Sequence, residues 1–393
     1  MSVHEAPLHA ASSEVVLVSH GFQTHYEQGF ANGLAENGLP VTLLGSDETL
    51  ASRLHPGVQL LNIRGSQDSR RSRWRKAHNM LLYHLRLLAT VWQRRRATVM
   101  IIGMLGPEWL VGVIEGLLLR LISARLTLTV HNILPHNRHT ATMKRLYWII
   151  YRIPHLLLVH TDATRQALID DFGIAPDRVL VMEHGLNDSV ERLPLSKPDA
   201  KAALGADPQR PAVLFFGYVS PFKGIDLLID AIEQREDITL IVAGRCAPGE
   251  YGDTIRRRLE ALQPSGKLVW MEGFLAEADI ARAFAAADAT VLPYRHIDQS
   301  GVLLLSLSQG VPVIATQIGG FAEVVEPSNG LFIREPSAEA VGEALDSFVS
   351  QPRRFRPAEV MGTVEHLAWR RTVKGLLRWL SAGGVGDGRR VNA

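Results

Sequence analysis

The stretch Val291 to Val325, VLPYRHIDQSGVLLLSLSQGVPVIATQIGGFAEVV, limits the fold more than any other part of the chain. A short apolar run stops at Pro293 and a polar loop follows. An apolar segment then opens at Ser300 and closes near Gly310, ahead of a second run, Val311 to Ala315. Short β-branched runs bounded by Pro and Gly predict strands, and a Ser cap with a Gly after the last turn predicts a helix. Together they make a βαβ unit.

A parallel sheet gathers its binding loops at the carboxyl ends of its strands. A helix starting there aims backbone N–H groups and its positive dipole end outward, which favours phosphate. Gln299, Ser300 and Gly301 occupy that position, and Gly301 permits close approach to the backbone. Gly319 and Gly320 form a second glycine loop before Phe321 to Val325. On this stretch alone, ordinary turn glycines and a capping serine remain the simpler reading.

At 393 residues the chain exceeds one typical core, so two domains are expected, and 46% hydrophobic content suits an α/β protein. The single cysteine, Cys246, excludes an internal disulfide framework and fits a reducing compartment. Met1 to Glu14 lack the basic start and apolar core of an export signal, which predicts a cytoplasmic chain. No apolar run approaches the ~20 residues of a spanning helix. The nearest, Trp109 to Ala124, is broken by Glu115 and Arg120 and reads as a buried helix.

Taken in order, Glu14 to Val18 reads as a strand, followed by a loop, Ser19 to His25, that carries Gly21. A helix with Phe30, Leu34 and Ala35 on its apolar face ends at Gly38, before a strand from Val41 to Leu44. This is the opening of a nucleotide-binding half, with Gly21 a reduced form of the glycine fingerprint near a ligand.

From Arg64 to Arg96 the charge is lopsided, with Asp68 the single acid. Leucine spacing predicts a helix from Leu81 to Trp92, with a basic cluster at each end and Trp74 and Trp92 among the arginines. This pattern suits an anionic membrane surface. A solvated basic face is the alternative, and no motif supports nucleic acid.

Strands follow at Val99 to Ile102 and Leu126 to Val130, and the second delivers His131 to a strand's carboxyl end, where α/β enzymes place reacting groups. His136 and His139 lie close by, but no carboxylate accompanies them and the spacing matches no common zinc pattern, so no metal is expected. A helix from Thr140 to Arg152, a strand from Leu156 to His160, a helix from Thr161 to Phe172 and a strand from Val179 to Met182 complete a domain spanning 1–190. Residues 191–211, rich in Pro, Asp and Lys, read as a linker.

The second domain, 212–362, opens with VLFFGYVSPFKGIDLLIDAI. Gly217 begins its loop, Lys223 and Gly224 end it, and Leu227, Leu228, Ala231 and Ile232 mark the inner helix face. A lysine beside a helix N-terminus is a suitable point charge for a diphosphate. Strands at Thr239 to Val242 and Leu268 to Met271 and helices at Tyr251 to Leu262 and Glu277 to Ala287 lead back to the opening stretch.

These residues carry a family resemblance. The chain resembles the retaining glycosyltransferases of the GT-B architecture, specifically glycosyltransferase family 4, the glycosyl transferases group 1. Gly217, Lys223 and Gly224 match the family's G-R-x-x-x-x-K-G loop, and Gly273 with Phe274 its G-F turn. Asp288 and Pro293 precede its donor motif, and GVPVIAT, Gly319, Gly320 and Glu323 match the G-x-P-V-V-A-T and G-G-x-x-E that end it. Thr129 and His131 resemble its strand-end histidine. The resemblance runs from about residue 14 to 380 and is stronger after Pro211.

Tyr218 stands where the family has an arginine, and Ile297 and Leu305 where it has two glutamates. Asp298, one residue along, could replace the first; nothing replaces the second. The Gln-Ser-Gly-Val form is similar to a branch of the family that lacks the pair.

The resemblance implies an α/β fold of two Rossmann-like domains whose parallel sheets face across a cleft. It implies no cofactor beyond a UDP- or GDP-linked sugar donor, with the diphosphate against Lys223 and the amides of Ser300, Gly301 and Val302. His131 would position the sugar or stabilise the transition state, and Asp298 would bind a sugar hydroxyl. The acceptor would be a lipid-linked glycan in polysaccharide assembly. The segment from Val364 to Leu380 would return as one helix to the first domain, a membrane-surface helix being the alternative, with the tail beyond it unstructured. A sugar-nucleotide 2-epimerase of the same architecture is the rival reading, though it needs grouped carboxylates. A non-catalytic relative that keeps only binding is another.

Overall fold

The computed structural model describes residues 14–382 except 22, 69–70, 105–106, 136–139, 188–189, 234 and 352. The expectations for His136 and His139, for the first 13 residues and for the tail from 383 lie outside the described residues. The chain divides into two units, Met1–Gly185 with Leu367–Ala393, and Leu186–His366.

In the first unit, β1 (Val15–Val18), α1 (Thr24–Glu36), β2 (Val41–Gly45), β3 (Val58–Asn62), α2 (Arg73–Gln93) and β4 (Thr98–Ile101) come in turn. A π-helix (Trp109–Glu115) then runs directly into α3 (Gly116–Ile122). β5 (Arg125–Val130), α4 (Ala141–Ile150), β6 (Leu156–Val159), α5 (Asp162–Phe172) and β7 (Val179–Val181) follow. All seven strands are parallel, in the order β3-β2-β1-β4-β5-β6-β7. β1 is wholly buried because helices cover both faces, which is why its VVLV shows no alternation.

The helix predicted from Leu81 begins two turns earlier, where the Ser72 hydroxyl accepts from the Arg75 N–H. Its first turns are so rich in charge that they carry no apolar period. The segment from Trp109 to Ala124 is not the buried helix expected. Glu115 and Leu119 face inward, whereas Leu117, Leu118 and Leu121 face solvent.

The second unit begins earlier than expected. Residues 191–211 are not a free linker, because α6 (Lys197–Ala203) packs there, with Ser196 as cap and Ala200 in the core. Then come β8 (Ala212–Phe216), α7 (Ile225–Glu233), β9 (Thr239–Gly244), α8 (Glu250–Leu262), β10 (Leu268–Glu272), α9 (Glu277–Ala286) and β11 (Ala289–Leu292). The unit closes with α10 (Gly301–Ser308), β12 (Val313–Thr316), α11 (Phe321–Val324), β13 (Gly330–Ile333), α12 (Ala338–Val349) and α13 (Pro357–Gly362). Its six parallel strands run β10-β9-β8-β11-β12-β13. Both sheets therefore reverse direction beside their first strand, and in such sheets ligands bind at the carboxyl edge of that point.

The C-terminal segment is not one helix but a short turn, α14 (Trp369–Thr372) and α15 (Lys374–Ser381). It belongs to the first unit, where Trp369, Val373, Leu376 and Trp379 join Leu17, Phe30 and Leu34 in one core. A Cβ at Gly29 or Gly185 would lie 2.0 or 2.1 Å from the Trp369 ring, so the absence of side chains there makes room for the indole.

Candidate active site

β8 and β11 pair in the second sheet, so the loops leaving their carboxyl ends lie side by side. The β11 loop is strapped to its neighbour at several points. The Arg295 N–H donates to the Phe222 carbonyl at 2.7 Å, and the guanidinium grips Asp226 through both carboxylate oxygens at 3.0 and 2.6 Å. Gly224, at φ +67°, lets the Pro293 carbonyl pass where any Cβ would lie 2.0 Å from it. On the other side the Gly320 N–H donates to the Asp298 carbonyl at 3.0 Å, and the Ile297 carbonyl packs on Gly319. Gln299 to Val302 are thereby fixed at the start of α10.

Ser300 is buried and its hydroxyl caps the Leu303 N–H, leaving the amides of Gly301 and Val302 in the helix's first turn. A side chain at Gly301 would meet nothing within 4 Å, so space lies open before this turn. The Gln299 side-chain oxygen is buried with no hydrogen-bond partner. A ligand hydroxyl or amide would satisfy it.

Lys223, Gly217 and Val302 converge. A Cβ placed on Gly217 would lie 2.9 Å from Lys223 Nζ and 3.8 Å from Val302 Cγ2. The ammonium lies 5.5 Å from the Tyr294 ring centroid. Burial lowers the Lys223 pKa to about 8, and among the described residues no carboxylate pairs with it. A poorly hydrated, unpaired cation beside a helix N-terminus is an anion site in waiting.

The positions of the missing glutamates are filled by core. Leu305 packs with Ala281 and Phe284 under the sheet, and Ile297 is buried. Asp288 has a structural role at the opposite, amino edge. Its carboxylate accepts the Ala212 N–H at 2.9 Å and pairs with Lys201 at 2.7 Å, beside a cavity of about 280 Å³.

In the first unit His131 follows β5, and its Nε2–H donates to the Ile102 carbonyl at 2.8 Å. The ring packs edge-on to Tyr26 and beside His160, which itself lies beside His184. Burial, reinforced by His184, lowers the His131 pKa to about 3, and burial lowers that of His184 to about 4. His131 is therefore a neutral imidazole at neutral pH, able to orient a hydroxyl but not to supply positive charge.

Sequence reasoning missed a second constellation. His20, immediately after β1, holds a left-handed conformation at φ 55° although it is not glycine. Its Nε2 lies 3.0 Å from Glu115 Oε1 and its Nδ1 2.6 Å from the Tyr83 hydroxyl, while His84 Nδ1 reaches Glu115 Oε2 at 2.6 Å. Next to it, the Gly21 N–H donates to Ser19 Oγ at 3.1 Å. One available signal was the isolated acid in an apolar run, since a buried carboxylate needs partners.

Two parallel-sheet domains in nucleotide-binding strand order define the GT-B fold class. Residues 23–190 match the family model for Glycosyltransferase Family 4, and residues 196–361 match Glycosyl transferases group 1. With both units matched, the chain belongs with the GT-B glycosyltransferases.

Among curated relatives, the D-inositol 3-phosphate glycosyltransferase of Frankia alni is 28% identical over 235 residues, 56% of this chain and 57% of that protein. The lipopolysaccharide core biosynthesis mannosyltransferase LpsB of Rhizobium meliloti is 28% identical over 57% of this chain and 63% of that protein. The chain thus spans little more than half the length of the curated relatives it matches. Among solved structures, sucrose-phosphate synthase from Thermosynechococcus elongatus aligns with TM-score 0.72 at 18% identity, over 94% of this chain and 99% of that one. Anabaena HepE in complex with UDP and glucose aligns with TM-score 0.73 at 18% identity, over 94% and 100%. At such identities the likeness carries the fold.

Proposed function

We propose that the chain is a retaining, metal-independent hexosyltransferase. It moves a sugar from a UDP- or GDP-linked donor to a lipid-linked glycan acceptor in polysaccharide assembly, at the cytoplasmic face of an anionic membrane. The observation that carries this reading is the unpaired, half-buried Lys223 ammonium beside Gly217 and the first turn of α10. Complexes of HepE with UDP and with UDP-glucose, and the sugar-transferring relatives, support the donor class.

In this reading the diphosphate lies against Lys223 and the amides of Ser300, Gly301 and Val302, which stabilise the charge that develops as the bond from the anomeric carbon to phosphate oxygen breaks. The new bond forms to the acceptor oxygen on the same face, and the acceptor's proton passes to the departing phosphate. Neutral His131 and Asp298 orient the sugar, and the Gln299 oxygen accepts from a donor hydroxyl or amide. The basic segment from Arg64 to Arg96 faces the membrane.

The deciding experiment is calorimetry against UDP, GDP and their sugars with and without EDTA, followed by donor consumption with candidate glycan lipids. One diphosphate should bind in EDTA and fail to bind Lys223→Ala, and its sugar should be consumed only with acceptor. Donor bound but never consumed would favour a non-catalytic relative; conversion of the sugar without acceptor would favour the epimerase.

A further inference from the structure

The π-helix and α3 expose an apolar face that a water-soluble surface does not ordinarily carry. Leu121 is 80% exposed, Trp109 56% and Leu117 46%, with Ile114 and Leu118 beside them. The phase of this face is locked from behind. Glu115, on the inward side, is held by His20 and His84, and Leu119 is buried in the core, so the element cannot roll its leucines inward without breaking that buried pair. Gly112 lets the π-helix press against Ile150 of α4, and the Arg120 guanidinium donates to the Ile153 carbonyl at 2.6 Å.

The neighbours extend the same surface. α2 packs beside α3 and exposes Leu85 and Trp92, while α4 packs beside the π-helix and exposes Trp148 and Ile149. Charge around it is mostly of one sign: α2 holds Arg75, Lys76 and Arg86, α3 holds Arg120, and α4 holds Lys144 and Arg145, of which Lys144 pairs with Asp171 at 3.9 Å, in a chain whose net charge is only +2. Among the described residues no helix is long and apolar enough to cross a membrane.

We propose that the π-helix and α3 are the element by which this chain enters the interface of an anionic bilayer, lying in its plane with α2 and α4 as basic flanks. Leucine and tryptophan side chains enter the acyl boundary while arginines meet phosphate headgroups, the division that interfacial helices use. A protein partner would need a large acidic and apolar complement, whereas a bilayer supplies both at once. This deepens the proposed function by naming the surface that brings a lipid-linked acceptor to the chain, and it rests on that reading only for the acceptor.

The test is co-sedimentation of the full chain with vesicles of phosphatidylcholine alone or mixed equally with phosphatidylglycerol. Wild type should bind the mixed vesicles, less tightly as salt rises, and bind phosphatidylcholine weakly. Leu117→Asp with Leu121→Asp should weaken binding about tenfold or more, since charge at these positions opposes insertion. Both substitutions are at exposed sites, so the melting curve should be preserved. Trp109→Phe should remove part of the quenching that brominated lipid causes. Equal binding by wild type and the double variant would overturn the proposal, as would a dimer in solution that the double variant abolishes. Diphosphate calorimetry on the same samples keeps this outcome separate from the donor site.

Discussion

Glu115 holds two histidines at once, its Oε1 3.0 Å from His20 Nε2 and its Oε2 2.6 Å from His84 Nδ1. One partner sits in the loop after β1 and the other on α2, so a single buried carboxylate ties the π-helix to both. Burial alone would raise the Glu115 pKa, but the two histidines outweigh it and lower the value to about 2.

Glu115→Gln should therefore destabilise the protein at neutral pH by roughly 3–5 kcal/mol, the usual cost of breaking a buried pair. A carboxylate with a depressed folded pKa contributes stability above its unfolded value, near 4.3, and loses it as pH falls through the folded one. The gap between wild type and Glu115→Gln in urea unfolding should thus be full at pH 5 to 7 and close between about pH 4 and about 2. A gap unchanged at the acid end would show that the bridge does not control it.

Lys223 should make diphosphate binding pH-dependent in the opposite sense. Its pKa, lowered to about 8 by burial, leaves it charged below that value and neutral above it. A bound diphosphate restores the charge, so binding near pH 8.5 should take up protons and weaken as pH climbs further. Calorimetry in buffers of different ionisation enthalpy reads the uptake directly. Lys223→Arg, with its larger fork, should not rescue Lys223→Ala fully.

Gly217→Ala places a methyl 2.9 Å from Lys223 Nζ at a backbone φ of +103°. Affinity for the diphosphate should fall by about tenfold or more, with a stability loss of about 1–3 kcal/mol from the strained backbone. Titration of the variant, checked against its melting curve, separates the two effects.

Leu305→Glu, which restores a family residue, should not restore anything here. The side chain is 3% exposed among Ala281 and Phe284, and a carboxylate there would lack a partner among these residues. Destabilisation of several kcal/mol is expected, read as a lower denaturation midpoint.

Much of the fold was legible because parallel strands buried on both faces leave runs such as VVLV and AVLFF, and because Ser300 and Gly310 punctuate α10 plainly. The half-exposed edge strands β3 and β13 leave no such run and went unread. In the candidate site, Gly217 and Gly224 stood out because positive φ selects glycine there, and Lys223 because they flank it. The bridge among His20, His84 and Glu115 did not, since it forms only when three distant segments meet. α3 was misjudged for a physical reason too: apolar composition reports a wish to leave water, not which shelter is found.

The indole of Trp369, seated against Gly29 and Gly185, gives the chain an order of assembly. The first sheet's strands are synthesised long before the residues that cover one of its faces. While the second domain is still being made, α1 must wait with Gly29 and the Phe30 ring uncovered by the Trp369 indole. The half that is translated first is thus the half that is finished last.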